Sequence, residues 1–480
     1  MKSTRRLFLK QASAFPAIFA LNGWNRQAQS SQKMNVLWLI AEDMGLELGC
    51  YGDSLVQTPH LDRLASEGVK FTNAFSTAPV CSASRSAFMT GMYQTSIGAH
   101  NHRSHRRDGY RLPEGVQLLT DYFRDEGYFT ANVKTAAPGV VGTQKTDFNF
   151  TVERPFDGTD WNQRQPRQPF FAQINFSEAH RNFKPVKENA VDPDKVVLPP
   201  YYPDHPIARQ DWALYLDAIS VLDQKIGAVL KRLDEEGLAD RTIVVFMGDN
   251  GRCHVRGKQW LYDGGIRIPL IVRWPGQVQA GTERESMVSS IDISATCLTI
   301  AGVEIPLKMQ GSPLFGPLAK EREYIVAARD RCDETVDRIR CVRTQRFKYI
   351  RNYFTEKPYS QLNRYKETQY PVMRLLRRLH DEGKLTPEQE LFMAPTRPPE
   401  ELYNLVDDPN ELRNLAQNPA QSSTLKEMRE TLDRWMRETG DQGGVPEDPA
   451  AIQEFEEQMK KTYYEKLKKI YAQEGMKWIW

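Results

Sequence analysis

Two acidic couples and one cysteine are the residues of this chain whose types and surroundings are suited to chemistry. Glu42-Asp43 follows the apolar run NVLWLI, and Asp249-Asn250 follows TIVVFM. Together they offer only oxygen donors and carry three negative charges, a set that suits Ca2+ better than a transition metal. Cys81 stands in PVCSASRSAFM, with Arg85 four positions on and the apolar Ala87, Phe88 and Met89 behind it. That pattern predicts a helix N-terminus, where unpaired N–H groups and the helix dipole favour an anion and Arg85 points the same way. A lone cysteine is more often a small buried hydrophobe, and either acidic couple alone is more often simply solvated. Their joint presence argues for a site.

The elements that must position these residues follow one order. Residues 35–40, 129–133, 170–176 and 242–247 read as buried strands with polar ends, the third of them running into Ser177-Glu178-Ala179-His180-Arg181. Between them lie helical patterns: one from Pro59 stopped by Gly68, one over 118–124 closed by Gly127, and a long amphipathic one over 212–236 stopped by Gly237. Residues 69–75 form a short strand leading back into the Cys81 loop. Strand, polar terminus and helix in repetition predict a doubly wound α/β domain whose polar strand ends gather on the one edge where such sheets bind ligands. Beyond Pro313 the texture changes to a strand pair over 324–328 and 340–349, an irregular basic stretch to about Pro399, and a charged helical end. The expected division is a signal at 1–32, a catalytic domain at 33–315, and a smaller C-terminal α+β subdomain with a helical tail at 316–480.

Cys81-Ser82-Ala83-Ser84-Arg85 resembles the C-x-(P/A)-x-R signature of the formylglycine-dependent sulfatases. The likeness extends to TPHLDRLASEGVKFTNAF (58–75), GGIRIPLIVRWPG (264–276) and ELYNLVDDPNELRNLA (401–416), and the loop SIGAHNHRSHR (96–106) resembles the heparan N-sulfatase branch. The resemblance implies an alkaline-phosphatase-like α/β sandwich, with a large mixed, mostly parallel sheet between helices. It also implies that Cys81 is oxidised to formylglycine and that Glu42, Asp43, Asp249 and Asn250 hold Ca2+, Glu42 standing where the family usually has Asp. By the same analogy Arg85 neutralises charge at the formylglycine, Lys258 binds sulfate and His180 faces the leaving atom. The family's lysine that precedes a histidine by two residues corresponds best to Lys145, with Asp147 replacing the histidine; Lys134 is the alternative. A hydroxyl of the hydrated aldehyde would attack sulfur, His180 would protonate the departing alcohol or amine, and Asp147 would be the base that helps expel sulfate.

The N-terminus, with Arg5-Arg6, an apolar stretch from Ala12 to Leu21 and a polar run to Gln32, reads as a twin-arginine export signal. That predicts a periplasmic or secreted protein exported by the twin-arginine translocase. No later stretch is long and apolar enough for a stable membrane span. Sixty-four basic against sixty-two acidic residues give +2, which does not suggest a nucleic-acid partner. Six scattered cysteines make no disulfide scaffold, although Cys332 and Cys341 are spaced to pair. Ala83, where oxygen-dependent maturases prefer proline, predicts an anaerobic formylglycine-generating maturase. The expected substrate is a sulfated saccharide, N- or O-sulfated and taken from the chain end, with His100, His102 and Arg103 lining its pocket beside His105. Trp161 is a candidate to stack on a sugar face or a core residue. The rival readings are a phosphatase or phosphonate monoester hydrolase and a non-catalytic secreted glycan-binding protein; Cys81 with Arg85 argues against the latter.

Overall fold

Asn35–Ala41 (β1) is buried along its whole length because both faces of the sheet it joins are covered. Leu37, Leu39 and Ala41 enter one apolar cluster and Val36, Trp38 and Ile40 the other, so a near-continuous apolar run is what a two-sided burial requires. The remaining strands are Val69–Phe75 (β2), Phe129–Asn132 (β3), a small hairpin of Thr135–Ala137 (β4) and Val140–Val141 (β5), Phe170–Phe176 (β6), Thr242–Gly248 (β7), Arg267–Arg273 (β8), Thr282–Ser289 (β9), Ile325–Arg329 (β10), Ile339–Arg343 (β11), Phe347–Asn352 (β12) and Glu400–Asn404 (β13). The structure, a computed structural model, describes residues 33–105 and 108–479. The twin-arginine stretch therefore lies outside the described residues.

The large sheet has the order β3-β6-β1-β7-β8-β2-β9. β3, β6, β1 and β7 run parallel, β8 is antiparallel to both β7 and β2, and β9 is parallel to β2. Register decides where the site falls. Ala41 pairs with Phe176 on one side and Gly248 on the other, so the residues that follow these three strands leave the sheet side by side. The smaller sheet, β10-β11-β12-β13, is antiparallel throughout. It lies beyond the expected boundary at residue 315 and belongs to the same compact unit as the large sheet, Met34–Trp480. Ala328 N donates to Thr77 O at 2.9 Å, tying β10 to the approach to Cys81.

Three expectations need correction. The single strand over 340–349 is two, because Thr344 turns the chain: its N donates to Phe347 O and its Oγ1 accepts from Phe347 N. The stretch before Pro399 is helical at Arg364–Gln369, Pro371–Asp381 and Pro387–Met393. Proline at the first position of the last two supplies the pre-set φ that starts a helix, and Val372, Met373, Leu375 and Leu376 give the second a buried face. Cys332 and Cys341 are both free. Cys341 lies within β11, whereas Cys332 packs on Ala78, Val80 and Ala83 under the helix that Cys81 begins. Among the described residues no helix is long and apolar enough to cross a membrane.

Candidate functional site

Three strand ends and one helix start converge. Asp43 and Asp249 follow β1 and β7, and Cys81 opens the helix Cys81–Phe88. Ligand atoms of these three buried residues lie within 4.8 Å of one another. Asp249 Oδ1 accepts from Asp43 N at 3.0 Å, Asn250 Nδ2 donates to Asp43 Oδ1 at 3.0 Å, and Cys81 Sγ lies 3.5 Å from that same oxygen. Asp43 itself has φ of 57°, a left-handed conformation rare for a residue other than glycine, and one found where function sets the backbone.

Cations surround this centre. Lys258 Nζ lies 2.8 Å from Asp43 Oδ2 and 3.2 Å from Cys81 Sγ. Its loop is fixed by Gln259 N donating to Pro79 O and by Gly257, where a Cβ would stand 2.2 Å from Arg252 O. Arg85 is held by two acceptors, with Nε at 2.9 Å from Asp249 Oδ2 and Nη1 at 2.6 Å from Asn175 Oδ1, while its buried Nη2 has no hydrogen-bond partner. His180 Nε2 lies 3.6 Å from Asp43 Oδ2, and its Nδ1 is 2.7 Å from Arg181 O, which fixes Nδ1 as the protonated nitrogen of the neutral ring. Burial raises the Asp43 carboxyl, but the charges of Lys258 and His180 outweigh it and hold it well below the usual carboxylate range. Burial, with Asp249 and Asp43 nearby, pushes the Cys81 thiol up to about 12 against the pull of Lys145 and Lys258. An unmodified Cys81 is therefore a protonated thiol at neutral pH and a poor nucleophile.

The donor set fits a hard cation. Asn250 Oδ1 is buried without a hydrogen-bond partner, an oxygen acceptor on the residue next to Asp249, whose carboxylate lies with that of Asp43. Glu42 stands outside that tight group: its Oε2 is 2.7 Å from Lys145 Nζ, whose charge, with that of Arg85, holds the carboxyl below its ordinary range against burial. Lys145 Nζ is also 3.9 Å from Asp147 Oδ2, and Arg103 Nε is 3.5 Å from Asp147 Oδ1, so these three form a chain leading outward. Lys134 is exposed on the sheet's flank.

The expected saccharide contacts separate. Arg103 keeps a side chain 45% exposed beside the site. His102 is buried beneath it, with Nδ1 at 2.8 Å from Ser82 Oγ and Nε2 at 3.7 Å from Asp333 Oδ1; burial and the Arg103 charge bring its pKa down to about 3, so it is neutral scaffolding. His100 is turned away from the site, among Arg340, Asp441 and Glu447, and burial lowers it to about 4. Trp161 is corrected outright: it is fully buried, its Nε1 donates to Glu236 Oε2, and Arg232 covers its face at 4.0 Å, leaving no surface for a sugar.

The sequence reading missed Asn175, a buried polar residue near the end of β6. It also missed Tyr365, whose ring lies 6.3 Å from that of His180 and 6.0 Å from Lys258 Nζ, and whose buried hydroxyl has no partner. Tyr463, from the helix Pro449–Gln473, packs edge-on against Tyr365 at 6.2 Å. Glu334 accepts from Arg364 N at 2.7 Å. Tyr365, Tyr463 and Glu334 wall the outer side, whereas Asn175 lies within, on Arg85.

Comparison with known proteins gives the same assignment from independent evidence. Residues 34–303 match the family described as Sulfatase, and residues 251–371 match N-sulphoglucosamine sulphohydrolase, C-terminal. The chain is 36% identical over 471 residues to an ulvan-active sulfatase of Formosa agariphila, covering 87% of this chain and 77% of that protein. It is 26% identical over 462 residues to human N-sulphoglucosamine sulphohydrolase, covering 85% and 90%. A solved complex with the substrate D-glucosamine-2-N,6-O-disulfate superposes with a TM-score of 0.64 at 18% identity, over 86% of this chain and 100% of the other. The phosphonate monoester hydrolase of Agrobacterium radiobacter does so at 0.61 and 19% identity, over 85% and 96%, so the fold alone does not choose the chemistry.

Proposed function

The chain belongs to the sulfatase family, and from that premise we propose that this enzyme removes sulfate from a sulfated saccharide, at its chain end, using a formylglycine made from Cys81 and a bound Ca2+. The observation that carries the reading is the buried meeting of Cys81, Asp43, Asp249 and Lys258 around the unpartnered Asn250 Oδ1. The ulvan-active and N-sulphoglucosamine relatives support a carbohydrate sulfate, of either the O- or the N-linked kind.

Residue 81 as formylglycine contributes an oxygen nucleophile that a buried thiol cannot, and Ca2+ held by Asp43, Asp249 and Asn250 contributes positive charge beside it. Every other contribution belongs to the side chains. Lys258 and Lys145 neutralise the sulfate oxygens as charge spreads over them, the kind of fixed electrostatics that gives the largest rate terms. His180, held through Nδ1 by Arg181 O, keeps Nε2 on the reaction side; in the imidazolium form, which the Asp43 carboxylate favours, Nε2 carries the proton given to the leaving atom. Arg85 holds Asp249 in place rather than reaching substrate. Asp147, between Lys145 and Arg103, is the carboxylate available as base when sulfate departs. Glu42 orients Lys145 beside the cation site.

Export through the twin-arginine translocase to the periplasm or beyond, after conversion by an anaerobic-type maturase, completes the proposal. Mass analysis of the tryptic peptide holding residue 81 tests it: conversion exchanges sulfur for oxygen and removes two hydrogens. An unconverted thiol in active enzyme, or sulfate release surviving in Cys81→Ala, would sink it.

A further inference from the structure

Next to Gly45-Leu46 lies a cavity of about 160 Å3 bordered by Arg252, Arg256, Arg267, Tyr262 and Asn410. None of Asp43, Cys81, His180 or Lys258 lines it. Its charges do not balance. Arg252 is paired with Glu47 at 2.8 Å. The two carboxylates at the cavity, Asp263 and Glu411, are each 2.6 Å from Lys348 Nζ, and Asp263 is also 3.4 Å from Arg343. Arg256 and Arg267 are left with no carboxylate partner. Arg256 Nη2 donates only to the carbonyls of Asn410 and Glu411, its plane lies 3.8 Å from the ring centre of Tyr262, and its Nε is buried with no partner. Arg267 is spent on Thr72 O and the Asn73 side chain. Arg252 Nε is likewise buried and unpartnered.

A guanidinium that is 4% exposed and lacks a counter-charge is costly to bury. Arg256, with the guanidiniums of Arg252 and Arg267 also bordering a space several times the share of one water, favours a small ion of opposite sign there. The planar N–H fork matches tetrahedral oxyanions in particular. We infer that this cavity is a second anion site that binds a tetrahedral oxyanion such as inorganic sulfate or phosphate. Bound there, the ion joins Gly45-Leu46, just past β1, to the 409–411 loop that follows β13, and so braces the chain next to Asp43 against the smaller sheet.

The full-length protein is titrated with sulfate, phosphate and chloride by calorimetry, and its crystals are soaked in selenate so that anomalous scattering locates the ion. Selenate within hydrogen-bond reach of Arg256 is expected, with sulfate or phosphate bound in solution at that site and at least a tenfold weaker affinity in Arg256→Gln. Should that variant not fold, Arg267→Gln serves in its place. Equal displacement by sulfate and phosphate identifies a general oxyanion site, and preference for sulfate a product site; both uphold the class. Selenium found only beside Lys258, chloride bound in place of either oxyanion, or unchanged affinity in both variants overturns the inference. The assay reads binding and not turnover, so its failure leaves the sulfatase reading untouched.

Discussion

The inner and outer halves of the site are built by different means. The inner half, Asp43, Asp249, Asn250 and Cys81, hangs from strand ends locked in register and from the first turn of one helix. The outer half, Arg103, Asp333-Glu334, Tyr365 and Tyr463, comes from loops, a six-residue helix and the last long helix, segments hundreds of residues apart. One half is nearly all paired charge, and the other has exposed or unpartnered groups. On the proposed function the difference would separate reaction from recognition: rigid strand ends fix atoms within tenths of an ångström, whereas loops can be exchanged without disturbing them.

Substitutions can break that division. Lys258→Ala, at the inner half, is expected to lower kcat for every sulfated substrate by about 10²- to 10³-fold, the usual loss for one fixed donor to developing negative charge. A change confined to KM would place Lys258 in recognition instead. Glu334 gives a pH test of the outer half. Burial, with the charge of Asp333, pushes its carboxyl from 4.5 up to about 7 despite the hydrogen bond from Arg364 N. Because the folded value is raised, the stabilising effect is complete below about pH 4.5 and is lost as pH rises through about 7. Urea unfolding of wild type against Glu334→Gln should therefore differ in slope by about 3 kcal/mol across that window, and parallel curves would remove Glu334 from that account.

Tyr463→Ala sharpens the comparison from the recognition side. It is expected to reduce kcat/KM on an oligosaccharide about tenfold, the equivalent of roughly 1.4 kcal/mol, and to leave a small aryl sulfate nearly unaffected. Equal losses on both substrates would assign the residue to the chemistry. Trp161→Phe should have the smallest effect, about 1 kcal/mol of stability from the lost hydrogen bond to Glu236, with KM unchanged. A raised KM would return Trp161 to the substrate pocket.

The inner half was legible because its signals are local. A continuous apolar run ending in acid means a buried parallel strand with ligands at its tip, and β1 and β7 have that form. Lys258 and His180 carry no such local mark and were reached through family likeness. Glu42, adjacent to Asp43, cannot be told from a ligand by position alone; the structure adds that its side chain pairs with Lys145. Tyr365 and Tyr463 were invisible because each gains meaning only from the other's packing and from His180. Trp161 was ambiguous because polar neighbours, Asp160 and Asn162, look the same whether they face solvent or cap the three-residue turn that inserts the indole into the core.

The burial of Cys81, 1% exposed beneath Lys258 and packed at the root of its helix, also sets an order of events. On the proposed formylglycine chemistry, that burial would require conversion to precede folding, while residues 79–89 are still an extended peptide. The twin-arginine route proposed above moves folded chains, so on that proposal the moment would fall before the membrane is crossed. Under that proposal each molecule would leave the cell either armed or inert, and the active fraction of the exported pool would be set by a race, inside the cell, between an oxidation and a fold.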